Sequence, residues 1–428
     1  MLRCVQRAVA IRPGPGAGSV VGRVSGLGLA LFLGFASLSP AQDPIRPSAP
    51  GGQVRLLTSD AAILEAQDTR KDLPCSVTPA RPSMGFDFKF HSGYDVAVNL
   101  KELAGSGELL TIVFRVVSEA APQDPLYFSQ HFTVPAIADE DRGPAFLQGA
   151  FELGEGKYHV DWMMRDRTER VCSSHWDSEA SLPPKDKPMA LDIAPGTVQP
   201  EDPELFRQDP PVAREPGGQP LRVKVVLNFA PQDSGAATLQ PIDSSALVSI
   251  LRNISRDPRI GRFSVVAYNM QSQRVLYRQQ AASQIDFPAL GRALNKLNLG
   301  TVDLKHLAQK HGESEFLGNL LTSEVKDCGE TPDAVIFAGP KVMLDDGLPP
   351  ETLHQLADVK FPVFYMNYNL YPQANPWRDA IGSAVRALKG IEFTISRPRD
   401  LFFAWSEIMG RIVKLKVGSA GSGNSSPQ

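Results

Sequence analysis

VKVVLNFAPQDSG, residues 223–235, decides how the second half of the chain is read. Val223, Val225, Val226, Leu227 and Phe229 form a nearly unbroken apolar run, the pattern of a strand buried on both faces of a parallel sheet. The run then turns polar through Asn228, Gln232 and Asp233. This is the carboxyl end of a strand, where open α/β sheets place their ligands. The question is whether the polar end holds an ion or only closes a buried strand.

Around this stretch, strand and helix patterns alternate. Asp243, Ser244 and Ser245 can cap a helix over 243–255 that puts Leu247, Ile250, Leu251 and Ile254 on one face. Residues 263–269 and 274–279 read as a hairpin with the turn at MQSQ. Helical periodicity runs over 287–297 and 302–325, with a break at His311-Gly312. Strands are expected at 333–337, 361–368 and 391–395. Helices are expected at 350–356, opened by Pro350 in its first turn, from Asn375-Pro376-Trp377 to Leu388, and at 399–412. Strands joined by helices imply a doubly wound, mostly parallel sheet covered on both faces. The Gly/Ser-rich tail, 418–428, reads as disordered.

The first half is different. Residues 42–84 are polar and read as an irregular lead-in. From 85 to 181, short strand patterns recur between turn clusters. Phe86, Phe88 and Phe90 alternate with Asp87 and Lys89, and further strands are expected at 94–100, 109–117, 126–134, 145–153 and 158–165. Such spacing predicts an antiparallel, immunoglobulin-like β-sandwich. Residues 182–220 are rich in proline and poor in apolar runs, which predicts an interdomain linker.

At 428 residues, with 42% hydrophobic and 21% charged residues, the chain has material for two cores. A net charge of −3 with no basic run excludes a nucleic-acid binder, which needs a concentrated cationic surface. Arg3, Arg7, Arg12 and Arg23, then LGLALFLGFASL, then Ser39-Pro40-Ala41 have the layout of a secretory signal peptide over 1–41. Cleavage is expected between Ala41 and Gln42, giving an exported product. The alternative is an uncleaved anchor, which is the one route by which the chain would meet a membrane. Cys75 and Cys172 flank the β-rich segment and are the disulfide candidates; Cys328, in KDCGE, reads as inert.

The order of elements from Leu221 to Val417, together with the closing stretch GIEFTISRPRDLFFAWSEIMGRI, resembles a von Willebrand factor A-type domain. In that family the first strand ends in D-x-S-x-S, which holds a divalent ion with a Thr and an Asp from later loops. Laid on this sequence, the motif's Asp becomes Asn228 and its two Ser become Ala230 and Gln232. Thr301 matches the family's Thr, and Ala338, followed by Gly339, stands where its later Asp would be. The resemblance therefore implies a vWA-like domain with a degenerate metal site. Its binding surface would lie near Asn228, Ala230, Gln232, Thr301 and Gly339, and its partner would be a protein or a component of a bacterial envelope. Asp233, Ser234, Asp345 and Asp346 are the residues available for a shifted ion site, with solvated loop carboxylates as the alternative reading.

Nucleotide binding is not expected, since 231–243 contains only Gly235 and neither a G-x-G-x-x-G turn nor a P-loop lysine. No cofactor is implied. The competing function is a metal-dependent hydrolase in the β-rich half, around His159, Cys172 and His175, with Asp161, Asp177 and Cys75 as further donors. Cys172-x-x-His175 has a ligand-like spacing, and a zinc site would need four convergent donors. A disulfide with surface polar residues accounts for the same letters. Arg165, Arg167 and Arg170 read as strand-edge ion pairs, and His131 as an ordinary histidine.

Overall fold

The computed structural model describes residues 43–45, 56–104, 107–138, 141–202, 204–215, 219–233, 236, 239–297, 312–326, 331–344, 348–356, 359–370 and 379–422. The expected signal peptide, Thr301, Cys328 and the acidic pair at 345 and 346 lie outside them. Among the described residues no helix is long and apolar enough to cross a membrane. The chain divides into two compact units, residues 1–203 and 204–428.

The first unit is built from antiparallel sheets. One has the order β1 (Asp43–Ile45), β5 (Leu126–Val134), β4 (Glu108–Ser118), β7 (Gly156–Arg165) and β8 (Val171–Ala180). The other has the order β2 (Cys75–Met84), β3 (Phe90–Asn99), β6 (Pro144–Leu153) and β9 (Val198–Pro200). Alternate side chains from the two sheets meet in an aromatic core. Tyr94 of β3 sits edge-on to Phe114 of β4 at 5.6 Å and to Trp162 of β7 at 5.3 Å. Phe114 also stacks on Phe128 at 5.0 Å and touches Phe151 of β6. Offset and edge-on ring pairs of this kind add to the burial that drives the sheets together.

The irregular lead-in expected over 42–84 is overturned in its described residues, while 46–55 lie outside them. Helix α1 (Thr58–Ala66) places Ile63 and Leu64 against Val113, Tyr127, Met163 and Val171 on the outer face of the five-stranded sheet. β2 carries Pro79 and Pro82 yet pairs with β3, slipping register between Ala80 and Ser83. An edge strand tolerates proline because one side needs no ladder donors, so composition alone hid it. The strand expected at Phe86-Phe88 is instead a turn. The Gly85 N–H donates to the Lys89 carbonyl at 2.8 Å, the Phe88 N–H donates to the Gly85 carbonyl, and Phe88 has φ +59°.

The linker expected over 182–220 contains the division between the two units, at 203 and 204, but the residues on either side of it are built into them. Met189, Ile193 and Val198 are buried, and β9 pairs with β6. Farther on, Asp209 meets Arg252 at 3.2 Å and Arg256 at 3.4 Å, and Arg214 donates to the Asp257 and Ser283 carbonyls. Proline-rich backbone cannot supply a full ladder, but side chains from folded elements hold it down all the same.

The second unit is a mixed six-stranded sheet in the order β12 (Arg274–Ala282), β11 (Ile260–Asn269), β10 (Leu221–Asn228), β13 (Ala334–Gly339), β14 (Val363–Tyr368) and β15 (Ile391–Ile395). All neighbours are parallel except β12, which returns antiparallel on β11. Val226, Val266, Phe337 and Tyr365 face one side, under α4 (Gly312–Leu321) and α6 (Ala380–Ala387). Helix α2 (Pro241–Arg256) packs against β13, and α7 (Pro398–Ser422) packs against β15. Among the described residues the remaining α-helices of this unit are α3 (Phe287–Leu294) and α5 (Pro350–Leu356). Helix α2 starts one turn before the expected cap. Gln240 is the N-cap and Asp243, at the third helical position, closes a capping box. The disordered tail expected from 418 is corrected in part, since α7 runs to Ser422.

Candidate functional site

The C-terminal edge of the six-stranded sheet gathers the described residues of the expected surface. Asn228 ends β10 and is fully buried. Its Oδ1 accepts from the Met270 N–H at 3.2 Å, just past β11. Asn269, also fully buried, donates from Nδ2 to the Phe229 carbonyl at 2.5 Å, and its Oδ1 accepts from the Ser272 N–H, fixing the hairpin turn. Gly339 packs directly on Asn228. A Cβ there would lie 2.8 Å from that of Asn228, and its φ of +148° suits only glycine.

Ala230 and Gln232 tie the loop after β10 to the end of β14. The Ala230 carbonyl accepts from the Tyr368 hydroxyl at 3.2 Å. Gln232 Oε1 accepts from the Leu370 N–H at 2.6 Å, while its Nε2 donates to Asn369 Oδ1 at 3.1 Å. Each amide satisfies backbone or side-chain groups that the ladder leaves open at a sheet end.

A hard divalent cation needs several converging oxygens. Here the oxygens of Asn228 and Gln232 are bound to N–H groups, and Ala230 has no side-chain oxygen. The described residues at the three motif positions therefore do not fit an ion. Asp233, from the shifted set, is exposed.

Buried polar atoms without a partner nevertheless cluster on the residues around this edge: Asn228 Nδ2, Asp243 Oδ1, Asn367 Oδ1 and Asp379 Oδ2. Asp379 caps α6, its Oδ1 accepting from the Val342 and Ile381 N–H groups at 3.2 and 3.1 Å. Burial raises its pKa above the usual carboxylate value, against the lowering effect of its backbone donors. Burial likewise raises the pKa of Asp243. This edge favours neutral groups.

The hydrolase candidates are only partly brought together. His159 Nδ1 lies 2.6 Å from Asp177 Oδ1, and its Nε2 lies 3.1 Å from Asp161 Oδ1 and 2.9 Å from Gln67 Nε2. Asp161 is buried and also accepts from Arg115. His175 stands opposite Asp161 in the β7–β8 register, with its ring 6.1 Å from that of His159. Cys172 does not join them. It is disulfide-bonded to Cys75, with Cα atoms 6.2 Å apart. A spacing of three along a strand also sends Cys172 and His175 to opposite faces. Arg165 and Arg170 form ion pairs with Asp60, Glu169, Asp166 and Glu102, and Thr111 Oγ1 lies 3.3 Å from His131 Nδ1.

A donor group that sequence reading missed lies on the four-stranded sheet. Asp87, His91 and Glu152 bring ligand-type atoms within 4.8 Å of one another. Asp87 is in the turn before β3, and His91 and Glu152 face each other across the β3–β6 ladder. His91 Nε2 lies 2.9 Å from Asp87 Oδ1, and Lys89 Nζ donates to Glu152 Oε2 at 2.7 Å. For both Asp87 and His91 burial opposes ionisation, but their mutual contact outweighs it, so Asp87 is shifted down and His91 up. The D-x-x-x-H spacing was visible in the sequence; the register that adds Glu152 was not.

No family model matches the chain, and no curated protein matches it. Among solved structures, the PilB minor pilin of Streptococcus sanguinis overlaps 70% of this chain and 87% of its own, at 9% identity and a TM-score of 0.28. A Bacteroides uniformis beta-glucuronidase 2 overlaps 73% of this chain at 8% identity and a TM-score of 0.17. The chain spans only 25% of that enzyme's length. Overlaps this loose assign neither fold family nor activity.

Proposed function

We propose that this chain is an exported, non-catalytic binding protein, an immunoglobulin-like β-sandwich followed by a vWA-like α/β domain that engages a protein or envelope partner without a metal ion. The observation that carries this reading is the bracing of Asn228, Ala230 and Gln232 at the end of the central strand, where the resembled family holds its ion. Further support comes from the sheet order, with one antiparallel edge strand beside five parallel ones. The disulfide suits an oxidising compartment, where such bonds persist. The hydrolase reading is weaker, because Cys172 is committed to the disulfide.

The test is affinity capture of partners from the envelope fraction of the source cells by the mature chain, with and without EDTA. A specific partner retained in EDTA supports the proposal. Capture abolished by EDTA and restored by Mg²⁺ would overturn its metal-free part. Mass spectrometry of the mature N-terminus tests export, an unprocessed leader counting against it.

A further inference from the structure

We propose that Asp87, His91 and Glu152 form a site for one first-row divalent transition ion, with Zn²⁺ as the best fit. The three donors come from a turn and two paired strands, and the ladder fixes the backbone of His91 and Glu152. Separations up to 4.8 Å close onto one ion by modest side-chain rotation, given metal–ligand bonds of about 2.0–2.2 Å. Gly85 leaves the room, since a Cβ there would stand 2.4 Å from Asp87 Oδ1 and 2.6 Å from His91 Nε2.

Lys89 is the competitor for this place. Its ammonium pairs with Glu152 at 2.7 Å and, on a flexible stem, would swing off Glu152 to admit the ion.

One imidazole with carboxylates selects Zn²⁺ or Mn²⁺ over Mg²⁺ or Ca²⁺, and Zn²⁺ binds more tightly than Mn²⁺ to a given site. Three protein ligands leave a fourth tetrahedral position, which a water would fill. The ion would fasten the turn at Asp87 to the β3–β6 ladder. Binding takes the place of a proton on His91, so affinity should rise with pH.

The experiment is calorimetric titration of ZnCl₂ into tag-free, EDTA-stripped and dialysed full chain, with folding of each variant checked by circular dichroism. One saturable equivalent is expected. It should weaken by more than about 100-fold in His91→Ala and in Glu152→Gln, beyond the usual effect of an outer-shell change. Lys89→Met, which removes the competing ammonium, should bind more tightly than the wild type. The proposal is overturned by wild-type protein that takes up no stoichiometric Zn²⁺, or by uptake unchanged in the His91→Ala/Glu152→Gln double variant. If those variants do not fold, Lys89→Met decides alone, and equal or weaker binding in it overturns the assignment.

Discussion

Asn228 and Asn269 brace adjacent strand ends in opposite directions, Asn228 accepting from the backbone beyond β11 and Asn269 donating to the backbone beyond β10. Both are fully buried. A carboxamide carries a donor and an acceptor on separate atoms without charge, so Asn suits a sheet end closed to water. The same choice removes the anion that a divalent ion would need at residue 228.

Asn228→Asp restores that anion and should destabilise the second unit. The carboxylate can still accept from Met270, but it would be ionised in a fully buried position without a counterion. Its folded pKa would stand above the unfolded value of about 3.9, so the deficit should grow as pH rises above that. Millimolar Mg²⁺ should not repair it. Asn228→Ala, which leaves the Met270 N–H unsatisfied, should cost about 1–3 kcal/mol. Urea unfolding at pH 5 and pH 8, with and without Mg²⁺, checks both. Mg²⁺-dependent recovery of the Asp variant would show that an ion site is latent there.

Residues 126–134, 350–356 and 391–395 were legible to the residue, because periodicity and turn residues agree there with tertiary burial. Elements whose cause is tertiary were not legible. Helix α1 is stabilised by the sheet it covers, β2 by an edge position that excuses its prolines, and β9 by pairing with β6 across about forty-five residues. At the sheet edge, sequence could name Asn228, Ala230 and Gln232 but not that their polar atoms turn inward to backbone partners. The Asp87, His91 and Glu152 group needed strand register, which local pattern does not encode.

The Cys75–Cys172 bond joins β2, at the edge of one sheet, to β8, at the edge of the other, across 97 residues of sequence. Closing so long a loop restricts the unfolded chain, so the Cys75→Ala/Cys172→Ala variant should lose about 2–4 kcal/mol. The comparison is urea unfolding of wild type with and without dithiothreitol. Reduction should reproduce the loss in the wild type and leave the double variant unchanged. A wild-type transition indifferent to dithiothreitol would count against the bond as a stabilising element.

Asp379 predicts a pH dependence of known sign. Burial, reinforced by Glu392, raises its folded pKa above the ordinary carboxylate value. The folded state therefore holds the proton more firmly. The resulting stability is present below the unfolded pKa and is lost as pH rises through the folded one. Asn caps a helix about as well as Asp and cannot ionise, so Asp379→Asn should gain stability relative to wild type between pH 4 and pH 8. Asp379→Ala, which removes the cap, should cost about 1 kcal/mol. Parallel pH profiles for wild type and Asp379→Asn would refute the shift.

Lys224 of β10 and Glu324, in the π-helical turn Thr322–Lys326, pair at 2.7 Å with both side chains less than 10% exposed. Arg278, half exposed, adds a second contact to Glu324 at 2.6 Å. Removing Glu324 leaves a buried ammonium without its counterion, so Glu324→Ala should cost about 3–5 kcal/mol. Arg278→Ala acts at an exposed group and should cost no more than about 1 kcal/mol. Replacing both buried partners by apolar residues, Lys224→Met with Glu324→Leu, should recover most of the loss, because the desolvation cost of the pair disappears with its attraction. A double-mutant cycle in urea measures the coupling. A coupling near zero would mean that the Lys224 ammonium reaches water when Glu324 is gone, and that the strand tolerates a lysine there without the π turn's help.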